Sequence, residues 1–486
     1  MGIIRFAVTL ILVVVLGCTS LLAGGFENTG LGVKARAMGG AFRAIADDWS
    51  AAWYNPAGYA FIPDNQLGGN SSFMYYRDQI EPNYSFGGPA DSTGIYNGRP
   101  IYNAHQVLSM PSGGFVVRLP VWGETVFGLS AYEPFDANIR WSLYSPLRSY
   151  NDSASYQPPS EQFTNNLDVV AFQLTMAREF MDQKLAVGLG LQLQRGDLVF
   201  KNLTFRENPM PSPLSDRPRD KVSEISYQDG NGWGFGLKGG VLLKQSEKLR
   251  LAASINIPFD ITLKGKATQT FIMPQIFPAT GINLNSVQYL FVNGATVQLN
   301  SDFETKLRLP MTIGVGAAYA INEKLTLAID AQMTMWSRFK GFDFSYTNFG
   351  TFRGAMDSAA AKDFFTANLS SPIDWKDAGR LAIGAIYNYN SYLTLLGGIS
   401  ADQSPARDSK DFIPQFIDTG NKYGFNLGAI VHIQRWDLGL TTSIIHCPDL
   451  TVTDLVDSNG DGNFDSFPGK YSGNTYETIL SFNYRY

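Results

Sequence analysis

The feature that most constrains this chain is an alternation of apolar with small or polar residues at a period of two. In residues 185–195 the odd positions up to Leu193 are leucine or valine, and the even positions are alanine, glycine or glutamine. Residues 249–259 and 325–335 repeat the pattern. Successive side chains of a strand point to opposite faces, so about ten residues of this alternation predict a strand with one face in lipid.

Such segments are spread along the whole chain, and their spacing is informative. We count about fourteen of them, at approximately residues 66–77, 105–118, 124–134, 167–180, 183–197, 231–244, 248–262, 303–320, 323–338, 376–390, 391–402, 423–434, 435–447 and 475–486. Short turns follow the even-numbered segments, whereas loops of about 20 to 40 residues mostly follow the odd ones. A soluble sandwich has no reason to sort its connections in this way. The sorting predicts an all-β fold, namely a transmembrane antiparallel β-barrel of about 14 strands with both chain ends on the periplasmic side.

Composition supports a membrane location and excludes a nucleic-acid partner. Aromatic residues make up 13% of the chain and charged residues 17%, and the net charge of -5 provides no basic field for nucleic acid. Beyond the N-terminal leader no apolar run approaches the ~20 residues that a membrane helix needs. Strands therefore have to perform any membrane role, and residues 66–486 are expected to form the barrel.

The N-terminus has the pattern of a secretory signal peptide over residues 1–23. Arg5 precedes an apolar run over residues 6–16, and Ala23 offers a cleavage point. An alternative is that Cys18 is lipidated rather than removed with the leader. If the leader is removed, Cys447 is the only thiol left, so no disulfide can form within the chain.

The C-terminal segment alternates up to its last residue, with Leu480, Phe482, Tyr484 and Tyr486 on one face. A terminal aromatic residue resembles the signal that the outer-membrane barrel assembly machinery reads. An ordinary edge strand is the alternative. Together with the leader, this ending predicts a multi-pass protein of the outer membrane of a Gram-negative bacterium, in contact with outer-membrane lipid, and we expect a monomer.

Residues 24–65 are predicted to fill the barrel as a hatch, or plug. A barrel of about fourteen strands encloses more space than its inward side chains can fill. The segment is rich in Gly and Ala, which allow close packing against a wall, and Trp49 and Trp53 need burial. A flexible exported N-terminus is the alternative.

Several stretches of this segment and of the last third of the chain resemble a known family. They are Gly24-Gly25-Phe26, Gly30-Leu31-Gly32, Gly39-Gly40-Ala41, Ala44-Ile45-Ala46-Asp47-Asp48, Asn55-Pro56-Ala57, "MWSRFKGFDFSY" from Met335 and "WKDAGRLAIGAIYNYNSYLTLLGGISADQSPA" from Trp375. Together they resemble the FadL-type outer-membrane transporters of long-chain fatty acids and aromatic hydrocarbons. The resemblance covers both chain ends and the last third well, and the middle loops poorly.

The resemblance implies a fourteen-stranded barrel with the N-terminal hatch inside its lumen and an internal apolar pocket. Phe26 would lie at this pocket, and Asn55, Pro56 and Ala57 would lie in the hatch. It further implies a channel, not an enzyme, for passive uptake of hydrophobic small molecules or fatty acids, with no catalytic residues and no required cofactor. The ligand would leave sideways into the membrane through a gap at an inward-kinked strand.

One long loop has the composition of a collecting surface for apolar ligand. Its apolar residues include Phe271, Ile272, Met273, Ile276, Phe277, Tyr289, Leu290 and Phe291. Such a loop is unusually apolar for an exposed connection, although packing onto neighbouring loops would explain it equally well.

The loop "DSNGDGNFD" predicts a possible weak calcium site. Its oxygen-bearing residues have the spacing of the first positions of a calcium loop: Asp457, Asn459, Asp461, Asn463 and Asp465. The twelfth position is Pro468, so the bidentate Glu is missing. A flexible Asp/Gly/Asn turn is the alternative.

Two other functions stay open at this point. A general porin would need a charged lumen and no plug. An outer-membrane lipid hydrolase could use Ser443, His446 and Asp449, although their spacing along one strand does not by itself form a triad. The sequence leaves the identity of the hydrophobic substrate undetermined.

Overall fold

The computed structural model describes residues 25–82, 100–103, 107–120, 125–143, 162–210, 221–274, 286–406, 416, 420–453 and 468–486. The strands are β1 (Gln66–Pro82), β2 (Ile101–Tyr102), β3 (Val107–Leu119), β4 (Thr125–Trp141), β5 (Phe163–Phe180), β6 (Leu185–Arg206), β7 (Val222–Lys244), β8 (Leu249–Pro258), β9 (Ile261–Ile272), β10 (Thr296–Leu307), β11 (Thr312–Ala320), β12 (Leu325–Thr334), β13 (Gly341–Thr347), β14 (Leu369–Pro372), β15 (Ala378–Asn390), β16 (Leu393–Asp402), β17 (Lys422–Ile433), β18 (Trp436–Val452) and β19 (Gly469–Arg485). The helices are α1 (Val33–Ala37), α2 (Ala51–Tyr54), α3 (Val287–Leu290) and α4 (Ala359–Phe365), with 3₁₀ turns at Pro56–Phe61, Trp336–Arg338 and Gly354–Asp357. The predicted signal peptide and the lipidation alternative at Cys18 lie outside the described residues.

The strands close into a ring. β1 pairs with β3 on one side and, over its whole length, with β19 on the other, and every described pairing is antiparallel. Four barrel strands are each made of two consecutive segments (β8 with β9, β10 with β11, β12 with β13, β14 with β15), and β2 is a short addition to β1. The result is the predicted closed barrel of 14 strands. Because the ring is closed, the backbone N–H and C=O groups form hydrogen bonds between strands and need no water, as strands in hydrocarbon require.

The period-two alternation sorts side chains between lipid and lumen as the sequence predicts. On β6, Leu189 and Leu191 point outward and are 57% and 60% exposed, whereas Gln192 and Gln194 point inward and are buried. Lipid can solvate the leucines, and the glutamine amides find partners inside the barrel. No helix among the described residues is long and apolar enough to cross a membrane.

Two predicted strands are each divided in the structure. The segment 248–262 becomes β8 and β9, and the segment 303–320 becomes β10 and β11. Pro258 and Pro310 lie at these divisions and have no N–H to donate to a ladder. The positions that face inward also change from even-numbered on β8 to odd-numbered on β9. Asn256 and Ile261 are both buried, although strict alternation would place them on opposite faces.

The N-terminal segment, residues 25–65, runs through the interior of the ring. Helix α1 contacts β16, β17, β18 and β19, and the 3₁₀ turn Pro56–Phe61 contacts β4, β5, β6 and β7. The wall carries glycines where the segment approaches most closely. A Cβ on Gly188 of β6 would lie 2.3 Å from the Ala57 nitrogen, and a Cβ on Gly398 of β16 would lie 2.2 Å from the Met38 carbonyl carbon. Glycine at these wall positions therefore allows backbone-to-backbone contact.

Candidate functional site

Phe26 lies at the centre of a cluster of aromatic rings, which we call the aromatic pocket. Its ring centroid is within 6 Å of five other centroids: Trp336 at 4.8 Å, Phe339 at 5.1 Å, Phe416 at 5.7 Å, and Phe135 and Trp375 at 5.9 Å. Three of these contacts are edge-to-face. Phe26 is 5% exposed, so a single benzene-sized ring is enclosed by other rings.

A bulge in β4 holds Phe26 in place. The register of β4 against β5 shifts between Tyr132 and Phe135, so that Glu133 and Pro134 lie opposite the single residue Val170. On its other edge β4 pairs with β3 only up to Ala131. Beyond that point it pairs with the N-terminal segment, because Asn28 N donates to Pro134 O (2.9 Å) and Asp136 N donates to Phe26 O (3.0 Å). Beside the bulge, the segment that carries Phe26 thus takes the place of β3 along this edge of β4.

Gly25 permits the close approach of this segment to the pocket. Its φ is +77°, and a Cβ there would lie 2.6 Å from the Trp336 ring. Side chains rarely adopt this backbone conformation, and the ring leaves no room for one. The glycine that precedes Phe26 is therefore required on two independent grounds.

The other rings come from places where barrel strands are interrupted. Trp336 and Phe339 lie in and just after the 3₁₀ turn between β12 and β13, and Trp375 lies between β14 and β15. All three are fully buried. The sequence analysis used the stretches from Met335 and Trp375 only to support a resemblance, yet they supply half of the pocket. The signal that could have identified them is a tryptophan at the point where period-two alternation stops.

Glu27 joins the aromatic pocket to a polar layer between the segment and the wall. Its carboxylate accepts hydrogen bonds from Gln332 Nε2 (3.0 and 3.1 Å) and Thr334 Oγ1 (2.9 Å) on β12. Burial raises the pKa of the Glu27 carboxyl above its usual value, and hydrogen bonds and the nearby Arg380 and Arg43 partly oppose this. Its accessible part lines an internal cavity of about 10 Å³, room for about one water molecule. Sequence reasoning missed Glu27, because its partners lie 305 and 307 residues away.

Buried ion pairs fix the part of the N-terminal segment that follows Glu27 to the barrel wall. Arg36 pairs with Glu477 of β19, and both side chains are 1% exposed. Arg43 Nη1 lies 3.1 Å from Asp330 Oδ2 on β12, and the same oxygen accepts from the backbone N–H of Phe42 (3.1 Å). Removing one partner of such a pair would leave a buried, uncompensated charge.

Asn55, Pro56 and Ala57 are placed away from the aromatic pocket. Asn55 Nδ2 donates to Val241 O on β7 (3.0 Å) and to Arg43 O (3.1 Å), and its Oδ1 accepts from Ala57 N (3.1 Å). The amide thus caps the 3₁₀ turn and ties it to the wall. Phe26 belongs to the aromatic pocket, whereas Asn55 to Ala57 belong to the contact between segment and wall.

The apolar loop residues form a packed cluster where they are described. Phe271, Met273 and Phe291 are at most 3% exposed. The Phe271 and Phe291 rings lie 4.9 and 5.7 Å from the ring of Phe365 on α4. For these three residues packing is the observed state, so they offer no open collecting surface. Ile272, Tyr289 and Leu290 are half-buried, and Ile276 and Phe277 lie outside the described residues.

Two further predicted sites have simple outcomes. The calcium loop at Asp457, Asn459, Asp461, Asn463 and Asp465 lies outside the described residues. The hydrolase alternative fails on geometry, because Ser443 of β18 points into the lumen and is 1% exposed, whereas His446 is on the opposite, exposed face. His446 Nδ1 is 2.9 Å from Asn474 Oδ1, and Asp449 pairs with Lys470.

Comparison with known proteins gives consistent matches. A family model described as outer membrane protein transport protein (OMPP1/FadL/TodX) matches residues 14–429. A putative outer membrane protein of Neisseria meningitidis is 22% identical over 86% of this chain and 84% of its own length. A long-chain fatty acid transport protein of Salmonella typhi is 24% identical over 60% of this chain and 63% of its own length.

Two solved structures have the same fold. A Pseudomonas aeruginosa FadL homologue superimposes with a TM-score of 0.71 at 16% identity, over 95% of this chain and 99% of the other. The Pseudomonas putida toluene transporter TodX superimposes with a TM-score of 0.66 at 17% identity, over 94% and 99%. These likenesses concern the fold.

Proposed function

The chain belongs to the outer membrane protein transport protein family (OMPP1/FadL/TodX), and from this premise we propose that the aromatic pocket around Phe26 is the site that binds the transported compound. Membership identifies an outer-membrane transporter of hydrophobic compounds in a Gram-negative bacterium, and a transport channel rather than an enzyme. The pocket, the route and the substrate class are the finer steps of the proposal.

The observation that carries the proposal is the enclosure of Phe26. The five surrounding rings hold a phenyl group in the way that they would hold a monoaromatic ligand. Each edge-to-face pair contributes about 0.5–1.5 kcal/mol beyond area burial. A ligand ring or an alkyl chain that replaced Phe26 would regain these contacts, so the side chain acts as a resident substitute for the ligand.

The pocket also offers one polar group. Among the described residues the indole Nε1 of Trp336 is buried without a hydrogen-bond partner. Buried donors normally have partners, and a ligand with one acceptor oxygen would supply it. Relatives are named for long-chain fatty acids and for toluene. A fatty acid has an acceptor oxygen and toluene has none, so the two compounds are useful as a pair of ligands for comparison.

Lateral release through the β4 bulge is the route that we propose. The bulge is bridged by the residues that carry Phe26, through Asn28 N to Pro134 O and Asp136 N to Phe26 O. Withdrawal of residues 26–28 would empty the pocket and free the bulge in one movement. Such release needs no energy source, since a difference in ligand affinity between two states is sufficient.

The remainder of the N-terminal segment would act as the hatch, with the boundaries 24–65 predicted from the sequence. Support comes from its contacts around the ring and from the buried pairs Arg36–Glu477 and Arg43–Asp330. Below the pocket these contacts leave a filled lumen, which disfavours a general porin. A weak calcium site at residues 457–465 is retained as a proposal on its sequence spacing.

Replacement of Phe26 tests the pocket. Phe26→Ala removes the resident ring, and we expect toluene to bind the purified full chain about tenfold more tightly, because burying a phenyl group is worth about 1.5–3 kcal/mol. Phe26→Trp overfills the site and should weaken binding. Phe42→Ala is the matched control, since Phe42 is an equally buried phenylalanine of the same segment away from the pocket.

Equilibrium binding in a neutral detergent measures all three variants. Equal toluene affinities for the Phe26→Ala variant, the Phe26→Trp variant and the wild type would refute the pocket.

A further inference from the structure

The barrel wall has a second break, between β10 and β13, several strands away from β4. These strands pair only from Asp302↔Thr347 to Glu304↔Ser345. Pairing on the same side resumes at Thr312↔Thr334, between β11 and β12. One more backbone hydrogen bond, from Met335 N to Met311 O (2.8 Å), extends this pairing, and the described residues 305–310 and 336–344 make no ladder pairs with each other.

A groove occupies this break on the outer side of the wall. Its volume is about 830 Å³. Lys306 of β10 and Asp343 of β13 line it from the outer face, whereas Phe303 and Thr305 line it from the inner face and are 3% and 2% exposed. We call this opening the β10–β13 groove.

A line of aromatic rings connects the floor of the groove with the aromatic pocket. The successive centroid distances are Phe303–Phe344 5.6 Å, Phe344–Phe342 5.7 Å, Phe342–Phe339 5.8 Å and Phe339–Phe26 5.1 Å. All of these rings are buried. The rings therefore form a continuous apolar row from the groove to Phe26, and an alkyl chain that displaced them would stay in apolar surroundings along this row.

The rim of the groove carries two cations that the rest of the outer face does not neutralise. Lys264 pairs with Glu304 at 2.8 Å, and Lys266 pairs with Asp302. For Lys306 and Arg308, by contrast, the described residues supply no ion pair or side-chain hydrogen bond. Both lie beside the gap and just above lipid-facing Ile313, which is 40% exposed. A carboxylate at the membrane surface would complement them.

We propose that the β10–β13 groove is a second lateral opening of the pocket, at which Lys306 and Arg308 bind the carboxylate of a single-chain amphiphile whose chain enters over Phe303. This inference rests on the proposed function, because it takes the aromatic pocket as the inner end of the path. It adds a separate binding site for the anionic end of the substrate.

The charge of the rim is tested with two probes, dodecanoate and toluene. In the full chain in a neutral detergent, Lys306→Gln/Arg308→Gln is expected to weaken dodecanoate binding about three- to tenfold, as for partly exposed charge-assisted contacts. Toluene binding is expected to stay unchanged. Lys264→Gln/Lys266→Gln is the matched control, since it removes the same charge from the same face but from ion-paired positions. Equal losses for both probes, no loss for dodecanoate, or an equal loss in the control would overturn the proposal.

The path is tested by photo-crosslinking with a dodecanoate that carries a diazirine in its chain. Adducts at residues 303–308 and 341–345, lost when unlabelled dodecanoate is added, are the expected result. Adducts confined to Trp336 and the β4 bulge would eliminate the groove and leave the pocket intact. If toluene does not bind the wild-type chain at all, the pocket itself is refuted, so the two failures are distinguishable.

Discussion

The two halves of the barrel interior are filled in different ways. Around Phe26 the lumen contains aromatic rings that contact one another. Around α1 and α2 it contains small side chains and buried ion pairs that join the N-terminal segment to the wall. A foreign apolar molecule can replace a ring, but it cannot replace an arginine opposite a buried carboxylate.

This difference assigns the two regions different tasks. The apolar filling is exchangeable, because van der Waals and ring contacts are regained by any ligand of suitable shape. The ion-paired filling is specific, because each partner needs the other. Glu27 lies at the boundary and hydrogen-bonds to Gln332 and Thr334 one residue after the ring of Phe26. A ligand can therefore exchange with Phe26 in the aromatic pocket while the ion-paired remainder of the N-terminal segment stays docked.

Deletion of residues 26–58 should produce the largest effect. Both fillings are lost at once, and a barrel of fourteen strands then encloses an aqueous lumen. We expect single-channel conductance to small ions in planar bilayers to rise from a closed level to open-pore levels, at least about tenfold. The Phe26→Ala variant is the control, since it should stay closed. An unchanged conductance after the deletion would show that the segment does not seal the barrel.

Arg36→Met should have the next largest effect, because it leaves Glu477 charged and buried. We expect a loss of about 3–5 kcal/mol in the free energy that holds the segment in place. Hydrogen exchange of the amides of residues 33–45 measures this opening. Lys34→Met is the control, since its partner Asp47 is 34% exposed and the pair contributes about 0–1 kcal/mol. Equal losses in the two variants would mean that burial of the pair is unimportant.

Gly25→Ala should act on the pocket side alone. The added methyl group meets the Trp336 ring at 2.6 Å in a left-handed backbone conformation. A destabilisation of about 1–2 kcal/mol is expected for such a residue. Phe26 would leave the pocket more often, and tryptophan fluorescence would report the change. Gly350→Ala is the comparison, because a Cβ there has no atom within 4 Å. A full effect at Gly350, or none at Gly25, would contradict this interpretation.

The wall was predictable from the sequence, because the choice between lipid and lumen is made residue by residue. Leu189 and Leu191 face lipid as their alternation requires. The divisions of the strands were not predictable in this way. Phe259 points outward and Ile261 inward, so the change of face at residues 259–260 leaves the apolar alternation unbroken in the sequence.

The site was predictable only in part, and the reason is sequence distance. Phe26 followed from a resemblance, and the structure places it among aromatic rings. Its neighbours Trp336 and Trp375 come from the far end of the chain, as do the hydrogen-bond partners of Glu27. Local pattern cannot indicate which distant side chains meet inside a barrel, since closure of the ring decides that.

The smallest expected effect is a pH dependence at the boundary between the two regions. Burial raises the pKa of the Glu27 carboxyl above 4.5, so the docked state holds this proton more tightly than the released state. Docking is then fully stabilised below about 4.5 and weakens as the pH rises to the raised pKa, by at most about 1.4 kcal/mol per pH unit.

Glu27→Gln isolates this contribution, because burial also raises the pKa of the Asp48 carboxyl in the same segment and Asp48 is unchanged in the variant. Hydrogen exchange of residues 26–45, corrected for intrinsic rates between pH 5 and pH 8, gives the docking free energy of both proteins. We expect the wild-type value to fall more steeply with pH than that of the variant. Parallel curves would mean that Glu27 keeps the same charge state in the docked and the released state. Its ionisation would then contribute nothing to the pH dependence of docking.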